Sequence, residues 1–109
     1  MTDFAAIVAE ANAAATVAAQ AENAKLPPEA QRGLDCGFAN LVIRPATTPF
    51  VRFLKSQGIG SKNWNGGWYI GCTGFAPTQS ISVHEAAARA YRDVLGKYDI
   101  DATVQSRLD

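Results

Sequence analysis

The sequence predicts an α+β protein, with one long N-terminal helix followed by a compact β-α-β-α-β two-layer domain. Two observations lead there. Alanine crowds the first 25 residues and two prolines close that stretch at Pro27-Pro28. After Leu34, strand-like runs alternate with segments that carry helix start and stop signals. The chain of 109 residues divides into a helix over 1–26, a connector over 27–33 and an α+β domain over 34–109.

Residues 3–25 read as one helix, because alanine is the best helix former. Thr2 is expected to cap it, and Pro27 and Pro28 to stop it. Ile7, Ala11, Ala14, Ala18 and Ala21 keep a four-three spacing, a narrow coiled-coil-like seam. One reading lays this helix on its own domain. The preferred one is a helix–helix contact between subunits, since a helix so poor in large side chains buries little alone.

Cys36 to Arg44 alternates as a strand, and Pro45 ends it. Thr48-Pro49 is a cap followed by a first-turn proline, opening a helix whose apolar side carries Phe50, Phe53 and Leu54. Gly58 suits its stop. Gly60 to Gly67 is a loop, with Asn65-Gly66-Gly67 as the turn signal. Trp68 to Thr73 reads as a second strand, and 74–80 as irregular. Ser82 and Glu85 have capping-box spacing. The helix after them places Ala87, Ala90, Tyr91, Val94, Leu95 and Tyr98 on one face. Asp101 to Leu108 is the last strand, with Ala102, Val104 and Leu108 toward the core and Thr103, Gln105 and Arg107 on the other side.

Ten basic and ten acidic residues balance, so no global positive field is available to hold long nucleic acid. The start lacks the basic and apolar run of a signal peptide, and no apolar stretch approaches the roughly 20 residues that span a bilayer. A cytoplasmic protein is expected, with Cys36 and Cys72 as reduced thiols. Two cysteines with His84 as the single histidine do not make a metal pattern, so neither metal nor cofactor is expected.

The chemistry-bearing residues point to binding rather than to turnover. His84 sits within the capping-box turn and reads as a surface helix residue. Gly58-Ile59-Gly60-Ser61-Lys62 lacks the spacing of a phosphate-binding loop, leaving a helix stop with a turn, or a weak anion nest. Trp64, Trp68 and Tyr69 flank the glycine turn. Trp64, in the loop, is the better exposed platform for a base, and stacking is worth roughly 1–3 kcal/mol per base. Trp68, opening a strand, either stacks or packs in the core. Arg44 belongs to the side of its strand shared by Phe38, Asn40 and Val42, and Arg107 to the side shared by Gln105 and Thr103. Should those faces coincide, guanidinium forks suited to phosphate line one surface. Surface ion pairing is the plainer role for each.

Taken in order, CGFANLVIRP (36–45), PFVRFLKSQGIGSKNWNGGW (49–68), TQS (78–80), EAAARAY (85–91), VLGKY (94–98) and SRLD (106–109) resemble a small family of tailed-phage proteins, the first Thoeris anti-defence type. The resemblance covers about residues 34–109. It implies a sponge that sequesters a cyclic ADP-ribose-like messenger of a bacterial TIR enzyme, in some members a cyclic oligonucleotide, without cleaving it. It also implies dimers or hexamers joined through N-terminal helices, here residues 3–25, acting in the host cytoplasm during infection. The helix here is richer in alanine than the family's, which bears on the hexamer and not on the dimer. Carried onto this chain, the resemblance makes 34–109 the ligand-binding domain. Trp64 and Trp68 are its adenine platforms, Arg44 and Arg107 its phosphate forks, and Thr78 and Gln79, with Asn65, its ribose contacts. The alternative expectation is an inhibitor that binds a host defence protein, in the manner of an anti-CRISPR, through the aromatic loop.

Overall fold

The structure, a computed structural model, describes residues 3–26 and 36–108. Its elements are α1 (Phe4–Lys25), β1 (Gly37–Ile43), α2 (Pro49–Ser56), β2 (Ser61–Lys62), β3 (Trp68–Gly71), α3 (Ile81–Lys97) and β4 (Thr103–Leu108). The α+β architecture expected from the sequence is the one observed. The four strands form one antiparallel sheet in the order β2-β3-β1-β4. The predicted strands and helices are present, and β2 is an addition inside the stretch read as a loop.

Strand alternation decides which face is core. Ala39, Leu41 and Ile43 of β1 and Ile70 of β3 point to the helices and are buried with Val51, Leu54 and Leu95. Phe38, Asn40 and Val42 point the other way. Their register partners are Arg107, Gln105 and Thr103 on β4, and Asn40 and Val42 also pair with Gly71 and Tyr69 on β3. Residues directly opposite in a ladder share a face. The faces of β1 and β4 anticipated from the sequence therefore coincide, and the helices leave this one open.

The helix α2 starts where Thr48 Oγ1 accepts from the Val51 amide (3.3 Å), with Pro49 in its first turn. The C-terminal stop runs through Gln57 to Gly58, whose φ of +69° is the left-handed region that favours glycine. The start of α3 departs from the capping box. Ser80 holds the cap position, its hydroxyl lies 3.0 Å from that of Ser82, and Glu85 Oε2 accepts instead from Ser106 Oγ (2.9 Å). Glu85 thus ties α3 to β4. The buried face of α3 is Val83, His84, Ala87, Ala88, Tyr91 and Leu95. His84 is therefore a core residue, 3% exposed, and not the surface residue its local sequence suggests. Tyr98, expected on the buried face, follows α3 as its exposed C-cap. Leu108, expected on the core side, is 68% exposed at the end of edge strand β4, while Ala102 and Val104 do pack on the core.

The first helix lies on its own domain. It packs along α3 and buries Ile7, Val8, Ala11, Ala15 and Ala19. Small side chains on α1, facing a helix that carries Ala87 and Ala88, let the two backbones approach closely. Of the expected seam, Ile7 and Ala11 are buried, Ala14 and Ala18 are half-buried and Ala21 is exposed. Phe4 packs edge-on to Phe50 (5.4 Å between ring centroids) and against Phe53 (5.9 Å). Glu10 pairs with Lys97 and accepts from the Tyr98 hydroxyl. The Lys97 contact, then Tyr98, hold the Glu10 carboxyl below its usual value. The N-cap is Asp3, which accepts from the Ala6 amide (3.0 Å), while the expected cap at Thr2 lies outside the described residues, as do Pro27, Pro28 and Gly33. By length and composition α1 just reaches what a bilayer-crossing helix requires, contrary to the sequence expectation, but the helix packs along α3, with Phe4 against α2.

Candidate functional site

The open face of the sheet carries a groove of about 570 Å³. Its floor is Phe38 and Asn40 of β1 with Tyr69 of β3. One wall is β4, through Gln105, Ser106 and Arg107, and the other is the segment Lys62-Asn63-Trp64. Phe38 is 44% exposed, and the Arg107 guanidinium lies over its ring, 6.0 Å from the centroid. A cation over a ring face is attracted by the ring quadrupole. Arg107 is thereby set beside an apolar floor with its donors unclaimed by any acid among the described residues.

The Trp64 wall is built from a buried asparagine and two glycines. Asn63 is buried, and its side-chain Nδ2 donates to the Gly66 carbonyl (2.8 Å). Its backbone amide donates to the Gly67 carbonyl (3.0 Å), and the Gly66 amide donates back to Asn63 (3.2 Å). Gly66 and Gly67 both have φ near +87°. A Cβ on Gly67 would come within 2.8 Å of the Ile43 carbonyl and 2.9 Å of Val42 Cγ1. The glycine is therefore what lets the loop settle onto β1. This closed turn throws Trp64 outward, 92% exposed at the rim of the groove.

Of the residues expected to bind, Trp64 and Arg107 come together here. Trp68 does not join them. It pairs with Ile43 on the helix side of the sheet, its Nε1 donates to the Ile59 carbonyl (2.9 Å), and the Lys55 ammonium sits 5.1 Å from its ring. Arg44 lies just past the far end of β1, where a cis bond joins it to Pro45, and its Nη2 donates to the Asn65 carbonyl (3.3 Å). Asn65 contributes that carbonyl to the loop and does not line the groove. Thr78 and Gln79 line a neighbouring recess that shares Phe38 with the groove. The glycines before β2 form a helix stop and not an anion nest, because the Gly58 and Ile59 amides donate to the Lys55 and Leu54 carbonyls.

Lys62 and Asn63 were not anticipated at the site. The available signal was the turn itself, since a strong Asn-Gly turn implies a paired strand on each side. Ser61 and Lys62 are that missing arm, opposite Tyr69 and Trp68.

No protein-family model, no curated protein and no solved structure matches the chain.

Burial also shifts three titratable groups outside the groove. Burial pushes the Cys72 thiol up to about 12 and the Tyr91 phenol, next to Cys72, also to about 12. Burial lowers the His84 imidazole, so it is uncharged at neutral pH. Among the described residues no cluster of three or more His, Cys, Asp or Glu has metal-binding geometry.

Proposed function

We propose that this protein binds and sequesters a cyclic nucleotide immune messenger, glycocyclic ADP-ribose or a cyclic oligonucleotide, and does not cleave it. The observation that carries the reading is the composition of one groove. Two cations, Lys62 and Arg107, and three aromatic rings, Phe38, Trp64 and Tyr69, surround it together with Asn40, Asn63 and Gln105. Cations recognise phosphate, and rings accept a base on their faces. Among the described residues the lining contains no carboxylate, thiol or imidazole that would act as nucleophile or general base. The resemblance of residues 34–109 to the Thoeris anti-defence proteins names the same ligand class. In this reading Trp68 and Arg44 brace the loop that carries Trp64, and the base stacks on Trp64 and Tyr69.

A sponge gains by removing its ligand from water, and a groove this open gains cover from a second subunit. The outward face of α1, where Ala9, Ala13 and the 67%-exposed Val17 lie, is the surface through which we assign self-association. The protein would then act as a dimer or hexamer in the cytoplasm of an infected bacterium. The second reading is an inhibitor of a host defence protein, and Trp64 is the observation that favours it, since a bare indole at a loop tip is a common interface anchor. Isothermal titration with glycocyclic ADP-ribose and with cyclic di- and trinucleotides decides between them. Saturable heat with one of them supports the sponge, and no heat with any refutes it and leaves the protein partner.

A further inference from the structure

The two edges of the sheet are built differently. A strand edge presents a row of amides and carbonyls, and proteins blunt it with short strands, lysines, prolines or bulges. The β2 edge is blunted. It is two residues long, ends in Lys62 and stands between Gly60 and Gly66, both with positive φ. The β4 edge is not. It runs six residues from Thr103 to Leu108 with no proline and no lysine. Its one charge, Arg107, lies over the Phe38 ring on the groove face. Among the described residues no strand lies on the outer side of β4.

The side chains of this edge also want cover. Val104, Ser106 and Leu108 stand opposite Leu41, Ala39 and Gly37 of β1 and so share the helix side of the sheet. Leu108 is 68% exposed there and Val104 is half-buried. Gln105 and Arg107 are on the groove side.

We propose that β4 pairs antiparallel with β4 of a second copy of this chain, across a twofold axis at Ser106, so that two four-stranded sheets become one. Residues opposite in a ladder share a face, so a twofold pairing joins even-numbered residues to even and odd to odd. With the axis at Ser106, Val104 meets Leu108 of the partner subunit on the helix side. On the groove side Gln105 meets Arg107 of the partner subunit. An axis at Arg107 would set two guanidinium groups face to face, and like charges directly opposite are destabilising. An axis at Gln105 would set Val104 against Ser106 of the partner subunit and lose the apolar contact. The strand is thus complementary to itself in one register, which is the argument for a second copy rather than a foreign strand. A contact through α1 lies behind the sheet, whereas one through β4 brings a second arginine to the Gln105 wall of the groove. That use of the pairing rests on the nucleotide reading above, while the pairing itself rests on the sheet alone.

The test is sedimentation of the full chain without nucleotide, comparing the unmodified protein with Gln105→Lys and Gln105→Glu. The position is exposed, and the two substitutions move a balanced net charge equally in opposite directions, so net charge alone treats them alike. Gln105→Lys sets a cation opposite Arg107 of the partner subunit at both symmetric places and is expected to weaken association about tenfold. Gln105→Glu sets an anion there and tightens it by a similar factor. Whatever α1 contributes is common to all three proteins. The axis is read by oxidising Ser106→Cys and Arg107→Cys. Cysteines facing each other across a strand pair stand roughly 5 Å apart at Cα, within disulfide reach, so Ser106→Cys forms a covalent dimer and Arg107→Cys does not. An unmodified protein that stays monomeric, equal association of the two charge variants, or equal cross-linking of the two cysteine variants overturns the proposal. Since no nucleotide is present, failure of the pairing and failure of the nucleotide reading are seen separately.

Discussion

Replacing Gly67 with alanine attacks the wall of the groove without touching any residue that would meet a ligand. Two costs arise. The backbone at Gly67 has φ +86°, and an L-residue with positive φ is strained by roughly 1–2 kcal/mol. The new methyl would also stand 2.7 Å from Arg44 Cγ, 2.8 Å from the Ile43 carbonyl and 2.9 Å from Val42 Cγ1. Arg44 can swing away, but the backbone carbonyl cannot, so the loop must lift from β1. Overpacking of this kind costs about 1–3 kcal/mol. The total is about 2–5 kcal/mol, a melting temperature lower by roughly 10–25 °C for a domain of this size. Gly58→Ala is the internal control. Its φ of +69° carries the same strain, but a Cβ there meets nothing within 4 Å, so about 1–2 kcal/mol is expected. Urea denaturation of the two variants measures the difference, which isolates the packing of the loop on the sheet. Equal destabilisation of Gly67→Ala and Gly58→Ala would refute the claim that the Trp64 loop is seated on β1.

Trp64→Ala should leave the urea midpoint unchanged, since the ring is exposed, and should weaken nucleotide binding by about 1–3 kcal/mol, read by calorimetry. Trp68→Phe should do the reverse, losing the bond to Ile59 and most of the Lys55 contact for about 1–2 kcal/mol of stability, with binding affected only through the loop. Stability should fall above about pH 9, because the unfolded chain releases protons from Cys72 and Tyr91 that the folded chain keeps until pH about 12. It should also fall as pH drops below the ordinary histidine value of 6.5, because unfolded His84 gains a proton that the buried imidazole resists. Denaturant titrations across pH 5–10 read both slopes. A thiol reagent should find Cys36 in the native protein and Cys72 only after unfolding, since Cys72 is fully buried.

The parts of the fold that local chemistry dictates were legible in the sequence. Thr48-Pro49 starts α2 and the alternation of 36–44 makes β1. The face of each strand, Phe38 with Asn40 on β1 and Arg107 with Gln105 on β4, follows from alternation, whereas the register that joins them remains a condition. What the sequence hid depends on which partner a side chain finds. Ser82 and Glu85 have capping-box spacing, yet Glu85 reaches Ser106 on β4, a contact 21 residues away. His84 faces inward because it stands three and seven residues before Ala87 and Tyr91 on the same helix face, a periodicity that the capping-box reading passed over. In α1 the alanine seam reads as a contact between subunits in preference to packing on the same chain, and α3 takes part of it. The site was legible by half. Trp64 follows from its turn, but Trp68 and Tyr69 are neighbours on a strand and must face opposite ways, so no more than one of the two can line the groove.

The claim at the centre of this account is that the groove retains a nucleotide and returns it intact. The measurement is to incubate the purified protein with cyclic nucleotides and with ADP-ribose cyclisation products, wash it, denature it by heat and identify what is released by mass spectrometry. One messenger, released unchanged by the unmodified protein and retained poorly by Arg107→Ala, is the predicted result. A cleaved product would make the protein an enzyme, and retention of nothing would make the Trp64 loop a surface for a protein partner.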